Sequence, residues 1–147
     1  MKIIKGRNTI TTEIAYIAGF FDGEGCVRIK QANQGGNSYY VIAHLTNTNK
    51  KILKDVEKLF GGKTRIQENG KNKTVYNWCL TSSEAVDFLK TLSPFLKEKL
   101  EQSKVAIYFH EHKEDMTPKT KVLYYKQMMA MKRNIYENQN LLTPPKE

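Results

Sequence analysis

Apolar residues change their spacing several times along the chain, and each change marks an element. Residues 13–21 are helical in pattern, with Thr12 as cap, Glu13 in the first turn, and Gly23 and Gly25 as the stop. Residues 26–32 then alternate, Val27, Ile29 and Gln31 on one face and Cys26, Arg28 and Lys30 on the other. Residues 34–37 are a turn, and 39–47 alternate again, with Val41, Ala43 and Leu45 opposed to Tyr40, Ile42, His44 and Thr46. These two runs predict an antiparallel hairpin. A second helix follows, capped by Asn47 or Thr48, with the stripe Ile52, Val56, Leu59 and Phe60, and it ends at Gly61-Gly62. A second hairpin spans 64–68 and 74–81 around a turn at 69–72. A third helix, 84–92, takes Ser82 or Ser83 as its cap, and Pro94 breaks the chain. Residues 96–112 read as a fourth helix along Leu96, Leu100, Ser103 and Ile107. A last amphipathic helix runs from near Pro118 to about 136. Residues 1–11 read as a loose arm and 137–147 as a tail.

The order is αββαββα with additional C-terminal helices. It predicts one α+β domain over 1–147, core about 12–136, with a four-stranded antiparallel sheet covered by helices on one face. The other face would carry Arg28, Lys30, Tyr40, His44, Arg65, Gln67 and Asn77. Arginine, lysine, glutamine and asparagine read base edges in a major groove, which admits a two-stranded ribbon. A merely solvated sheet face would also be polar, so charge has to arbitrate. Lys+Arg is 24 against Asp+Glu 15, a net charge of +9, which favours a polyanionic partner. Nucleic acid comes first and an anionic membrane surface second. Base stacking on the sheet, as in RNA-recognition modules, would need a Gly-Phe-rich consensus that this chain lacks.

At 147 residues, 39% hydrophobic and 27% charged, the chain suits a single globular domain. Cys26 and Cys79 lie far apart with no CxxC spacing, which predicts free thiols in a reducing compartment. The longest apolar stretch, 14–21, is far short of the roughly 20 residues of a membrane span, and no basic-then-apolar leader opens the chain. Collagen, coiled coil, secreted mini-protein and membrane protein are excluded. His110 and His112 are two apart on a helix and make a poor metal pair, Met128, Met129 and Met131 read as helix core, and Trp78 as core beneath the sheet.

The segment Ile17-Ala18-Gly19-Phe20-Phe21-Asp22-Gly23-Glu24-Gly25 carries the chemistry. Ala15, Gly19 and Gly23 recur every four residues, with Ala18 beside them, so one helix face has no bulk and another backbone can approach closely. Each glycine inside a helix costs about 1 kcal/mol, which calls for a packing reason. Two acids, Asp22 and Glu24, stand at the end of this helix. If two copies packed side by side, two acidic pairs would meet at the foot of the seam. Clustered carboxylates repel unless a hard divalent cation neutralises them.

This segment resembles the LAGLIDADG motif of homing endonucleases, with Glu24 where the last acid is usually Asp. The αββαββα order matches that family's domain, and Pro94-Phe95-Leu96-Lys97-Glu98-Lys99 is similar to its Pro-Phe-Leu-Lys-x-Lys segment. The resemblance spans roughly 12 to 107. It implies a site-specific DNA endonuclease that hydrolyses both strands of a long, near-palindromic duplex. The implied cofactor is Mg²⁺, or another divalent cation such as Mn²⁺, held by Glu24 and the Gly23 carbonyl. Lys99 would lie near the scissile phosphate, Asn47 would orient water, and Lys50 or Lys51 would assist, Lys51 being our choice. A single motif implies a homodimer across Ala15, Ala18, Gly19 and Asp22. The family also includes intron RNA-splicing maturases, for which the Lys-rich last helix would offer a surface, and inactive DNA-binding relatives. The length fits a free-standing intron-encoded protein acting inside a cell, in an organelle, a bacterium, an archaeon or a phage-infected host.

Overall fold

The computed structural model describes residues 7–67 and 73–132. The chain runs α1 (Arg7–Glu24), β1 (Gly25–Gln31), β2 (Tyr39–Asn47), α2 (Lys50–Phe60), β3 (Lys63–Gln67), β4 (Val75–Thr81), α3 (Ser82–Leu92), α4 (Leu100–His112) and α5 (Pro118–Lys132). Short 3₁₀ turns, Ser93–Phe95 and Lys113–Asp115, flank α4. The four strands form one antiparallel sheet in the order β1-β2-β4-β3. The α+β class, the four strands and both hairpins are as the alternation predicts. The turn at 69–72 and the tail at 137–147 lie outside the described residues.

Alternation decides the two faces. Val27, Ile29, Val41, Ala43, Leu45, Trp78 and Leu80 are all buried against the helices. Phe88 of α3 sits at the centre of that layer, with the rings of Phe21, Phe60 and Trp78 meeting it at 4.9–5.1 Å between centroids in edge-to-face fashion. Trp78 Nε1 donates to the Gly61 carbonyl at 2.8 Å, so this buried indole keeps its one hydrogen bond. That contact fixes the α2–β3 turn, where Gly62 has φ +81° and a Cβ would stand 2.7 Å from the Cys79 carbonyl oxygen.

Several boundaries differ from the expectation. Helix α1 begins at Arg7, not after Thr12, so 7–11 are helical and no loose arm. The reason is Ile10, which packs on the core and extends the stripe Ile14, Ile17 and Phe21 by one turn. Helix α2 is capped by Asn49, whose side chain accepts from the Lys51 N–H at 3.1 Å, and neither Asn47 nor Thr48 takes that role. Helix α3 starts straight off β4 with Ser82 at φ 52°, a sharp corner that replaces the expected serine cap. Residues 96–99 are not helical, and α4 starts only at Leu100. Met128 is buried as expected, but Met129 is 41% exposed.

Candidate functional site: an open sheet face and the end of the first helix

Strand register brings the polar positions together on the face the helices leave open. Lys30 stands opposite Tyr40, Cys26 opposite His44, His44 opposite Cys79, Thr46 opposite Asn77, and Asn77 opposite Arg65. Arg28, Lys30, Arg65 and Gln67 are exposed, while Tyr40, His44 and Asn77 are half-buried. Lys63 belongs to the same face, opposite Cys79, and sequence reasoning missed it by starting β3 one residue late. The alternation back from Gln67 through Arg65 was the available signal.

His44 departs from a simple solvated position. Burial first, then the positive charges of Arg28, Lys132 and Lys30, push its imidazole down from 6.5 to about 4. Both ring nitrogens are buried without a hydrogen-bond partner. The ring is therefore neutral at pH 7, and the last residue of α5 contributes to the field around it. No local sequence signal connects Lys132 with His44, because only the packing of α5 beside β1 brings them near each other.

The second part of the site is the C-terminal end of α1. Its exit is tight, since a Cβ on Gly25 would overlap the Phe21 ring and carbonyl. Glu24 is exposed, and among the described residues its carboxylate has no hydrogen bond or ion pair. Asp22 is used very differently. Its carboxylate accepts the backbone N–H groups of Lys97, Glu98 and Lys99 at 2.9, 3.0 and 2.8 Å. Burial alone would raise its pKa, but the three backbone bonds and the Lys99 charge outweigh this and hold it below the ordinary value. The Lys99 ammonium donates to the Asp22 carbonyl at 2.5 Å. A cation here also meets the negative end of the α1 dipole. Asp22 is thus committed to contacts within its own chain at the end of α1.

Asn47 lies two residues beyond Leu45, the partner of Gly25, so it stands at the same end of the sheet as Glu24. Its Oδ1 accepts the Asn49 N–H at 2.8 Å. Lys50 is placed over the Tyr76 ring, 5.6 Å from its centroid, whereas Lys51 is exposed on the wall of the groove between α1 and α2. The expected small face of α1 is partly real. A Cβ on Gly19 or Gly23 would meet nothing within 4 Å, and Ala15 is half-buried. Ala18, however, is fully buried in the chain's own core and cannot belong to that open face. A helix turns 100° per residue, so Ala18 lies about 100° from Gly19, toward Phe21 and Ile14.

These features agree with what the chain is similar to. A family model described as a LAGLIDADG-like domain matches residues 11–93, more than half of the chain. The chain belongs to the LAGLIDADG homing endonuclease family. Among solved structures, the homing endonuclease I-CvuI in complex with its target in the presence of Ca superposes with a TM-score of 0.70, at 20% identity over 82% of each chain. The archaeal intron-encoded homing endonuclease I-Vdi141I, complexed with DNA, gives 0.69 at 14% identity over 89% of this chain and 91% of that one. The LAGLIDADG homing endonuclease I-SmaMI, bound to cleaved DNA, gives 0.62 at 18% identity, covering 91% of this chain but only 51% of its own. No protein of curated function matches the chain. Among the described residues, no helix is long and apolar enough to cross a membrane.

Proposed function

We propose that the chain is a metal-dependent, site-specific endonuclease that hydrolyses both strands of a long, near-palindromic DNA duplex as a homodimer. The observation that carries this reading is the convergence at the end of α1. There an uncommitted carboxylate, Glu24, stands two residues from the carbonyl that receives the Lys99 ammonium, at one end of a sheet whose open face is basic. I-CvuI and I-Vdi141I, which share this fold, were crystallised in complex with target or DNA, which supports the same partner here.

The donor set suits a hard cation. Among the described residues no three His, Cys, Asp or Glu side chains gather, so soft or imidazole-rich coordination is not on offer. One carboxylate, Glu24, and the Gly23 carbonyl match Mg²⁺, which keeps several waters and takes few protein ligands beside phosphate oxygens. Bound there, the cation would supply Lewis acidity and a lowered water pKa. Lys99 would face the phosphate and stabilise the charge that develops on it. Asn47 and Lys51, at the β2–α2 junction, would orient water beside the scissile bond. Arg28, Lys30, Arg65, Gln67 and Asn77, with Tyr40 and His44, would contact base edges, and the remaining lysines would grip phosphates.

What one chain leaves open supports the dimer. Gly19 and Gly23 are bare, and this chain spans about half of I-SmaMI. Two copies related by a two-fold axis would bring two Glu24 side chains together beneath one duplex. The test is selection of cleaved sites from a random duplex library with Mg²⁺, followed by Glu24→Gln. That variant should lose cleavage and retain binding, since it removes a ligand without touching the basic face. Full cleavage by Glu24→Gln would overturn the reading.

A further inference from the structure

Asp22 belongs to the motif, yet its carboxylate is taken up by backbone N–H groups and not by a side-chain partner. It lies against the entry of α4, at residues 97–99, and holds three successive N–H groups there. Those residues form no helix and no strand, and the Asp22 carboxylate gives their three N–H groups the acceptors that regular structure would otherwise supply. The charge of the carboxylate makes these bonds stronger than neutral ones, and the first turn of α4 adds its own positive end. The lysine that this loop carries returns to the same residue, its Nζ on the Asp22 carbonyl. Asp22 therefore grips both ends of Lys99, the backbone N–H through its side chain and the ammonium through its main chain.

We propose that Asp22 is the positioning residue for Lys99: its carboxylate clamps the 97–99 backbone and so sets the ammonium at the end of α1, where the rate of strand cleavage depends on it. This rests on the nuclease reading of the site given above. The clamp touches no part of the open sheet face, so it should act on rate and leave DNA affinity alone. It also explains why the segment 96–99 departs from the helix its apolar spacing predicts. Continuing the helix would turn these N–H groups onto the preceding turn and release Asp22.

The experiment is a double-mutant cycle of Asp22→Ala and Lys99→Met, measured as single-turnover cleavage of the selected duplex with protein in excess. Asp22→Ala should slow cleavage about 10- to 100-fold while Kd changes by less than about 3-fold. In the Lys99→Met background the same substitution should cost less than about 2-fold further, because its route of action is already gone. Asp22→Asn, which keeps one acceptor oxygen, should fall between wild type and Asp22→Ala. Amide exchange gives a readout independent of activity: Asp22→Ala should release protection at 97–99 by at least about 10-fold and leave 103–110 unchanged. Equal rate losses in both backgrounds, or unchanged protection at 97–99, would overturn the inference while wild type still cuts. Loss of protection across α4 as well would mean that Asp22 serves general stability, and would also overturn it. A wild-type chain that cuts no duplex would instead sink the nuclease reading, and this inference with it.

Discussion

The neutral, unpartnered His44 makes a measurable prediction about acid. In the folded chain its imidazole resists protonation down to about 4, while in the unfolded chain it takes a proton at the ordinary 6.5. The folded state therefore binds fewer protons between those values. The stabilisation from His44 is fully present above 6.5 and is lost as pH falls through the window from 6.5 to about 4. Linkage over two such pKa values gives about 1.8 kcal/mol of stability lost between about pH 7 and about pH 5. The ring is only half-buried, so screening by solvent lowers this to about 1 kcal/mol. The perturbation is His44→Leu, which fills similar space and abandons no hydrogen bond, since neither ring nitrogen has a partner. Urea unfolding of both proteins at the two pH values isolates the effect, because every other titrating group cancels in the difference. Relative to wild type, the leucine variant should gain about 1 kcal/mol on going from the higher to the lower pH. A difference that stays constant, or moves the other way, would refute the burial of a neutral imidazole on the open face.

Three further outcomes follow from the same geometry. Gly62→Ala should destabilise the fold by about 2–4 kcal/mol in urea unfolding, since a Cβ would press on the Cys79 carbonyl and the Trp78 indole at a backbone of φ +81°; an unchanged midpoint would show that the turn relaxes freely. Arg28→Ala and Arg65→Ala should each relax discrimination at particular base pairs by about 1–3 kcal/mol, read from the spectrum of cleaved sites, whereas a uniform loss would assign these arginines to phosphates. Gly19→Leu should abolish both dimerisation, measured as solution mass, and double-strand cleavage, and a variant that keeps both would dismiss the close approach of two α1 helices.

The strands were legible because burial alternates residue by residue: Val41, Ala43 and Leu45 face the core while Tyr40, Ile42 and His44 face the other way, which leaves a single register. Helix ends were less so. Ile10 extends α1 through packing alone, and Thr12, a plausible cap by type, lies inside the helix. Asn47 and Thr48 were plausible caps by type, but the cap is Asn49, whose side chain accepts the Lys51 N–H. The motif showed that two acids end α1, but their different fates depend on a partner 75 residues away in the chain, the Lys97 N–H. Ala18 shows the limit of spacing arguments. A small residue beside a small-residue face can serve the interior, and burial alone settles which.

The side chains of Arg28, Lys30, Arg65 and Gln67 stand exposed, and among the described residues they carry no hydrogen bond or ion pair within the fold. Exchanging such residues changes stability by no more than about 0.5 kcal/mol. The helix before them and its exit have the opposite character, with Ala18 and Phe21 held by the core, Asp22 by three amides, and Gly25, just past the helix, by the Phe21 ring. The exposed sheet positions can be exchanged one at a time at little cost to the fold, whereas a change along the end of α1 disturbs the core or the contacts of Asp22. The same division tells an engineer where to randomise and where to leave the chain alone.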